Sequence, residues 1–316
     1  MIAAPDLRVD LGDLPLRNPV MPASGCFGPE LGDLIDINRL GAMVTKTVFA
    51  EPRSGNRAHR LAETYAGMLN SVGIPSRGAR AFIAELLPRY RNWSPPLIVS
   101  IGGLTVGAYL EIAERLTRVA GIAAFEVNVS CPNLEAGGLE IGAEPQVVEA
   151  VVRGVKERVE VPVFVKLTPN VTSIAAIARA AETGGASAIT AVNALMGMAV
   201  DWRTRRPRTG TAMAGFTGPA IKPVALRCVW QAAQAVAIPV IGVGGIATVD
   251  DVLEFILAGA TAVQIGSATF TRPDTMVRII AALEARLSDE GVVSVRELIG
   301  ALRTDSPSAT VPMQAG

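Results

Sequence analysis

Two lysines, one cysteine and two glycine clusters occupy positions from which chemistry could be done. Lys166 follows Val163-Phe164-Val165, so its stem is sheathed in apolar groups. A buried ammonium is costly unless it meets an anion. One such partner is a flavin ring, whose reduced form carries negative charge near N1. A cation about 4 Å away would contribute roughly 4 kcal/mol at an effective dielectric near 20. The other use is a Schiff base with a carbonyl substrate, as in an aldolase. Lys46, in Val44-Thr45-Lys46-Thr47, poses the same alternatives. Either lysine could instead be structural, its stem on apolar surface and its head in water. Cys131 sits between Ser130 and Pro132 in a glycine- and asparagine-rich stretch, which argues against a core position. A free thiol ionises with a pKa of about 8.5, so a few per cent is thiolate at neutral pH. That suits a base whose rate rises with pH. Cys26 and Cys228 read as structural.

The glycine clusters are Gly242-Val243-Gly244-Gly245-Ile246 and Gly266-Ser267. Each ends an apolar run, and backbone N–H groups free of side chains there can hold a phosphate. Neither is a dinucleotide fingerprint, since no strand runs into G-x-G-x-x-G. The single histidine, His59, and the lack of a cysteine pair at zinc spacing leave little for a hydrolase triad or a metal site.

The elements that must position these residues are legible as alternation. Strands are predicted at Val20–Ala23, Ala42–Lys46, Leu97–Ser100, Ala124–Asn128, Val163–Lys166, Ala188–Asn193, Val240–Val243 and Ala262–Ile265. Each is too apolar for one wet face, as parallel strands covered on both sides are. Helix patterns lie between them. Val106, Leu110, Ala113, Leu116 and Ala120 make one apolar stripe; Val147, Val148, Val151, Val152 and Val155 make another. Thr248 with Asp251 reads as a capping box, with Gly259 as the stop. Eight β–α units with no Pro/Ser-rich linker predict an α/β fold, a single-domain (β/α)₈ TIM barrel over residues 1–316, with a doubly wound sheet as the alternative.

In a barrel, function collects where strands end. The predicted ends are Ser24; Lys46-Thr47; Ser100; Asn128, with Ser130, Cys131 and Asn133 beyond it; Lys166; Asn193; Gly244-Gly245; and Gly266-Ser267. Any one is an ordinary strand stop, but together they suit a central ligand pocket. Three segments exceed normal loop length or composition: Phe49–Ser76 after strand two, Cys131–Gly142 after strand four and Leu195–Lys222 after strand six. Such loops are often lids or binding segments.

The bulk numbers exclude several classes. Lys plus Arg and Asp plus Glu balance at 29 each, without the basic excess of a nucleic-acid binder. Arg203, Arg205, Arg206 and Arg208 read as a solvated loop. The uncharged run from Cys228 to Val249 is interrupted by Pro239, Gly242, Gly244 and Gly245, so it reads as a buried helix and strand, not a membrane span. Three widely spaced cysteines with no leader pattern lead us to expect a cytoplasmic protein without disulfides or a membrane anchor.

Val127-Asn128-Val129-Ser130-Cys131-Pro132-Asn133 resembles the N-x-S-C-P-N segment of dihydroorotate dehydrogenases. The resemblance extends over nearly the whole chain. Asn18-Pro19-Val20-Met21-Pro22-Ala23-Ser24-Gly25 and Val44-Thr45-Lys46-Thr47 resemble the family's first two strands. Met68-Leu69-Asn70-Ser71-Val72-Gly73-Ile74 resembles its substrate segment. Lys166-Leu167-Thr168-Pro169-Asn170-Val171 and Gly218-Pro219-Ala220-Ile221-Lys222-Pro223 resemble the soluble branch with a cysteine base, most of all its NAD-linked catalytic subunit (class 1B).

That resemblance implies oxidation of dihydroorotate to orotate in pyrimidine biosynthesis, with bound FMN. It implies FMN contacts at Ser24, Lys46, Thr47, Ser100, Asn128, Lys166, Val192 and Gly218, and phosphate on Gly244, Gly245, Gly266 and Ser267. Lys46, Asn70, Ser71, Val72, Gly73, Ile74, Asn128, Asn193 and Ala194 would form the substrate shell. Cys131 would take the C5 proton while hydride leaves C6 for the flavin. A homodimer is implied, joined by a subunit carrying FAD and an iron–sulfur cluster. Three departures stand out: Asn193-Ala194 where Asn-Thr or Asn-Ser is usual, Ser100 where Asn is common, and Phe216-Thr217-Gly218 for Leu-Ser-Gly. The first removes a hydroxyl from the expected shell. Three rival readings follow: a dihydropyrimidine dehydrogenase-like flavoenzyme for uracil or thymine rings, a Lys166 aldolase, and a non-catalytic flavin barrel. Asn133-Leu134-Glu135 favours dihydroorotate over the first.

Overall fold

The computed structural model describes residues 4–130 and 141–304. The apolar runs form eight parallel strands: β1 (Val20–Pro22), β2 (Met43–Val44), β3 (Leu97–Ile101), β4 (Ala124–Asn128), β5 (Val163–Leu167), β6 (Ala188–Ala191), β7 (Val240–Val243) and β8 (Ala260–Ile265). They are buried along nearly their whole length, which is why they carry Val, Ile and Ala on both faces. From β2 to β8 each strand pairs with the next, and β8 pairs with β1. At the remaining seam the Gly41 amide donates to the Val20 carbonyl at 2.8 Å. Only glycine fits there, because a Cβ would stand 2.1 Å from the Asn18 carbonyl oxygen. The result is a (β/α)₈ barrel.

All eight predicted strands are present. β2 is shorter than the predicted Ala42–Lys46. Thr45 and Val48 still donate to the carbonyls of Ile98 and Ser100, so the ladder passes over Lys46 at the rim. Helices on the outside start at side-chain caps: Thr105 accepts from the Ala108 amide and Ser173 from that of Ala176. The Thr248–Asp251 capping box forms as the sequence predicts. Helix Val106–Leu116 buries Tyr109, Ile112, Ala113 and Leu116, a face turned from the predicted Val106-Leu110-Ala113-Leu116-Ala120 stripe. Tyr109 causes the turn: its hydroxyl donates inward to the Asn128 carbonyl at 2.7 Å. Helix Pro145–Lys156 buries Val148, Val151, Val152 and Val155 of the predicted stripe, with Val147 half-buried.

Two features were not legible in advance. A hairpin, Val9–Leu11 with Leu14–Leu16, packs by the foot of β6, where a Cβ on Gly12 would lie 3.3 Å from Ser187. The long segments after β2 and β6 are not separate loops. Leu61–Thr64, Gly67–Asn70, Ala214–Thr217 and Leu195–Gly197 pair side by side into one four-stranded antiparallel sheet, the cover of the barrel. None of the described helices is long and apolar enough to cross a membrane.

Candidate active site

The parallel register brings the strand ends to one level. Asn128 pairs with Lys166, and Lys166 with Thr190, so side chains from β4, β5 and β6 point into the barrel side by side. Around Asn128 the polar groups form a connected patch. Its Nδ2 donates to Thr47 Oγ1 at 3.4 Å, and Thr47 Oγ1 lies 3.0 Å from Ser100 Oγ. Asn128 Oδ1 accepts from Asn193 Nδ2 at 3.1 Å and from the Ser130 amide at 3.2 Å. The structure thus brings Thr47, Ser100, Asn128 and Asn193 from four strand ends into one cluster. Asn193 Oδ1 in turn accepts from the Ala194 amide at 2.8 Å, which fixes which end of that amide faces Asn128.

The second group surrounds Lys166, which is 3 % exposed. Its Nζ donates to Ser24 Oγ and to Gln264 Oε1, both at 3.3 Å. Lys46 makes neither hydrogen bond nor ion pair among the described residues. Its side chain reaches solvent, but the walls of the mouth push its pKa below the usual lysine range, against an opposing pull from Cys26. Cys26, read from the sequence as structural, borders the same space. Its sulfur would be 3.7 Å from a Cβ on Gly266. Burial raises that thiol, while Lys166 and Lys46 pull it down. The sequence signal for Cys26 was its place two residues beyond Ser24.

The glycine ends form a third group. Gly244 and Gly245 have φ of +131° and +75°, and a Cβ on Gly244 would meet that of Ala225 at 2.6 Å. The Gly218 carbonyl oxygen would lie 3.0 Å from a Cβ on Gly245, so the turn after the cover closes against this loop. Among the described residues, the amides of Gly244, Gly245, Gly266 and Ser267 donate to no protein acceptor. Four open backbone donors from two adjacent strand ends fit a phosphate. With the Lys166 ammonium and the Thr47–Ser100 hydroxyls, the donor set fits a flavin mononucleotide. Val192 is buried beside it, its amide on the Val243 carbonyl at 3.1 Å.

The cover supplies the other wall. Asn70 Nδ2 donates to the Gly215 carbonyl at 3.0 Å. A Cβ on Gly215 would lie 2.9 Å from Ala194 Cβ and 3.1 Å from Asn70 Nδ2, so Ala194 and Asn70 flank one glycine. Ser71 is more committed: its hydroxyl lies 2.6 Å from Thr211 Oγ1 and accepts from Asn56 Nδ2 at 3.1 Å. The Val72 carbonyl accepts from the Asn56 amide at 3.1 Å. Gly73 and Ile74 follow with φ of +72° and +47°, a tight turn against Asn56. Sequence reasoning passed over Asn56, and over Asn170, whose amide joins the Ala194 carbonyl to the Met196 amide. Cys131 lies outside the described residues. The residues on either side of its segment are tied together, with the Gly142 amide on the Val129 carbonyl at 2.7 Å.

A cavity of about 810 Å³ lies elsewhere, between His59 and the hairpin Val200–Asp201/Arg206–Pro207. None of its lining residues comes from a barrel-strand end, so it is not the site of this chemistry. Among the described residues no cluster of His, Cys, Asp and Glu could hold a metal ion.

The family model described as dihydroorotate dehydrogenase matches residues 6–287. The chain belongs to the dihydroorotate dehydrogenase family. It is 47% identical over 302 residues to "Dihydroorotate dehydrogenase B (NAD(+)), catalytic subunit" of Geotalea uraniireducens, covering 95% of this chain and 99% of that one. It is 48% identical over 295 residues to the protein of the same name from Desulforudis audaxviator, covering 93% and 96%. With that of Geobacter metallireducens it shares 47% over 301 residues, 95% and 99%. The chain is thus an FMN-dependent oxidoreductase of this family, similar to NAD-linked catalytic subunits.

Proposed function

We propose that this chain oxidises dihydroorotate to orotate in pyrimidine biosynthesis, with Cys131 as the base that removes the C5 proton. The supporting observation is the division of charge across the mouth. Lys166 is enclosed and engaged with Ser24 and Gln264, whereas Lys46 stands without a partner among the described residues. An open ammonium beside paired amides suits a ring bearing a carboxylate, carbonyls and N–H groups. Lys46 pairs with the carboxylate. Asn128 and Asn193, already oriented by each other, offer their remaining N–H groups to the ring carbonyls. Asn70 to Ile74 and Ala194 close the far side. FMN, when bound, supplies the two-electron acceptor. Gly244, Gly245, Gly266 and Ser267 would hold its phosphate, with Ser24, Lys46, Thr47, Ser100, Asn128, Lys166, Val192 and Gly218 around the rest.

A dihydropyrimidine without the carboxylate would leave Lys46 unmatched, which disfavours uracil-type substrates. We further propose a cytoplasmic homodimer served by a second subunit carrying FAD and an iron–sulfur cluster. The relatives' name "catalytic subunit" supports the second subunit, as does the lack of a dinucleotide fingerprint and a cysteine cluster here.

The test is an anaerobic spectrum of the pure chain. Added dihydroorotate should bleach the flavin. Cys131→Ala should keep its flavin but bleach about 10²–10⁴-fold more slowly, the usual cost of losing a general base. Equal rates would remove Cys131 from this role; no bleaching of the unaltered protein would remove the substrate assignment.

A further inference from the structure

Beneath the mouth the barrel encloses a carboxylate that the reaction above does not use. Glu126, on β4, is 0 % exposed, and its neighbours Thr190 and Gln264 are equally enclosed. Gln264 Nε2 donates to Glu126 Oε2 at 2.5 Å, and Thr190 Oγ1 donates to the same oxygen at 3.2 Å. The other end of Gln264 faces Lys166, whose Nζ donates to Gln264 Oε1 at 3.3 Å. Glu126 Oε1 has no protein partner among the described residues.

The order of these atoms has one consistent reading. A side-chain amide has a donor end and an acceptor end. Here the donor end meets a carboxylate and the acceptor end meets an ammonium. Gln264 is thereby locked in one orientation, and it relays a negative charge on β4 to a positive charge on β5. Neither charge could be held at this depth alone, since a lone buried ion is strongly disfavoured. Among the described residues, Cys26, in the turn after β1, interacts electrostatically with Lys166 and also with Lys46 at the end of β2. Lys46 carries the same sign as Lys166, and Cys26 is a weak acid at neutral pH. Glu126 is the carboxylate in this set.

We propose that Glu126 is a positioning residue: through Gln264 it supplies the countercharge that keeps Lys166 an oriented ammonium against the flavin. The inference rests on the reading above that Lys166 faces FMN. It makes a prediction of sign. A fixed negative charge near a flavin disfavours the reduced, anionic form, so removing one would raise the reduction potential. If Glu126 instead maintains the nearer positive charge of Lys166, removing it lowers the potential.

The experiment measures the midpoint potential of bound FMN in the holoenzyme by dye equilibration from pH 6 to 9. Glu126→Gln should lower it by about 30 mV or more, which is a tenfold change for a two-electron couple. Glu126→Gln combined with Gln264→Glu returns the charge to a position bonded directly to Lys166, and should restore the potential. On a Lys166→Met background, Glu126→Gln should no longer lower it. A rise or no change with Glu126→Gln at every pH, while Lys166→Met lowers the potential, would overturn the inference. So would a failure of the swapped pair to restore it, which decides the matter if Lys166→Met does not retain flavin. No shift in either single variant would instead overturn the placement of Lys166 against FMN.

Discussion

The floor of the mouth and its cover both face the proposed substrate, but they are held in different ways. On the floor, Ser100, Glu126 and Thr190 are fully enclosed, and each hangs from a strand paired on both sides. Losing one partner there leaves the other buried and unsatisfied, at about 1–3 kcal/mol. The cover joins segments far apart in the chain: Asn70 and Gly215 are separated by 145 residues. It also exposes large apolar side chains, Tyr65 at 96 % and Leu61 at 57 %. Its hydrogen bonds exchange with water, so each contributes about 0.5–1.5 kcal/mol net. The floor is thus built to fix cofactor and charge, and the cover to adjust affinity for what lies between them.

A matched pair of substitutions puts that contrast at risk. Gly244→Ala adds a Cβ at φ +131°, 2.6 Å from Ala225 Cβ. Strain of this kind costs about 1–3 kcal/mol. We expect a fall of several degrees in Tm and at least a tenfold loss of FMN affinity, read by quenching of FMN fluorescence. Gly215→Ala adds a Cβ of comparable tightness, 2.9 Å from Ala194 Cβ, but in the cover. It should raise KM and leave FMN affinity unchanged. Equal loss of flavin in both variants would mean that floor and cover are one unit.

The next effect lies just behind the phosphate loop. Asp251 Oδ2 accepts from the amides of Ala247 and Thr248 at 2.9 Å, and Oδ1 from Lys222 Nζ at 2.7 Å. Burial opposes its ionisation, but Lys222 and the two amides outweigh that and hold its pKa below the usual Asp range. A depressed folded pKa contributes stability above the unfolded value, about 3.9, and loses it as pH falls through the folded one. Asp251→Asn should therefore cost roughly 1–2 kcal/mol near neutral pH. That cost should shrink below about pH 4. A denaturant series at pH 7 and pH 3 checks this, and an undiminished gap at pH 3 would assign the loss to the cap geometry alone.

The same contrast explains what could be read in the chain beforehand. Floor residues stand at the ends of continuous apolar runs, so Lys46, Asn128, Lys166 and Asn193 could be picked out by position. The eight strands followed from the same runs. Glu126 was not singled out, although it stands two residues before Asn128 and therefore on the same inward face. A period of two applied from Asn128 backward would have found it. The cover could not be found in this way. Leu61–Thr64 and Leu195–Gly197 are short and only partly buried, and their partners lie in distant parts of the chain. Such pairing is fixed by the barrel that brings the segments together, not by local pattern.

The smallest effect concerns Ala194, where the two regions touch. Its amide is bound to Asn193 Oδ1 on the floor, and its Cβ faces the Gly215–Asn70 contact of the cover. A threonine there would add a hydroxyl to the substrate shell. If the hydroxyl reaches the bound ring it adds one hydrogen bond, about 0.5–1.5 kcal/mol, or roughly a 2- to 10-fold lower KM. The base and the electron acceptor are untouched, so kcat should stay constant. If the added atoms turn toward the cover, they crowd Gly215 and compete for the Asn70 amide, and KM should rise. Steady-state kinetics of Ala194→Thr with dihydroorotate separate these outcomes, and the sharper comparison comes from combining it with Gly215→Ala. Two changes acting on one contact are coupled, so their effects on KM should fail to add. Additive effects would show that Ala194 belongs to the floor alone and that the cover reaches the substrate through Asn70 without it.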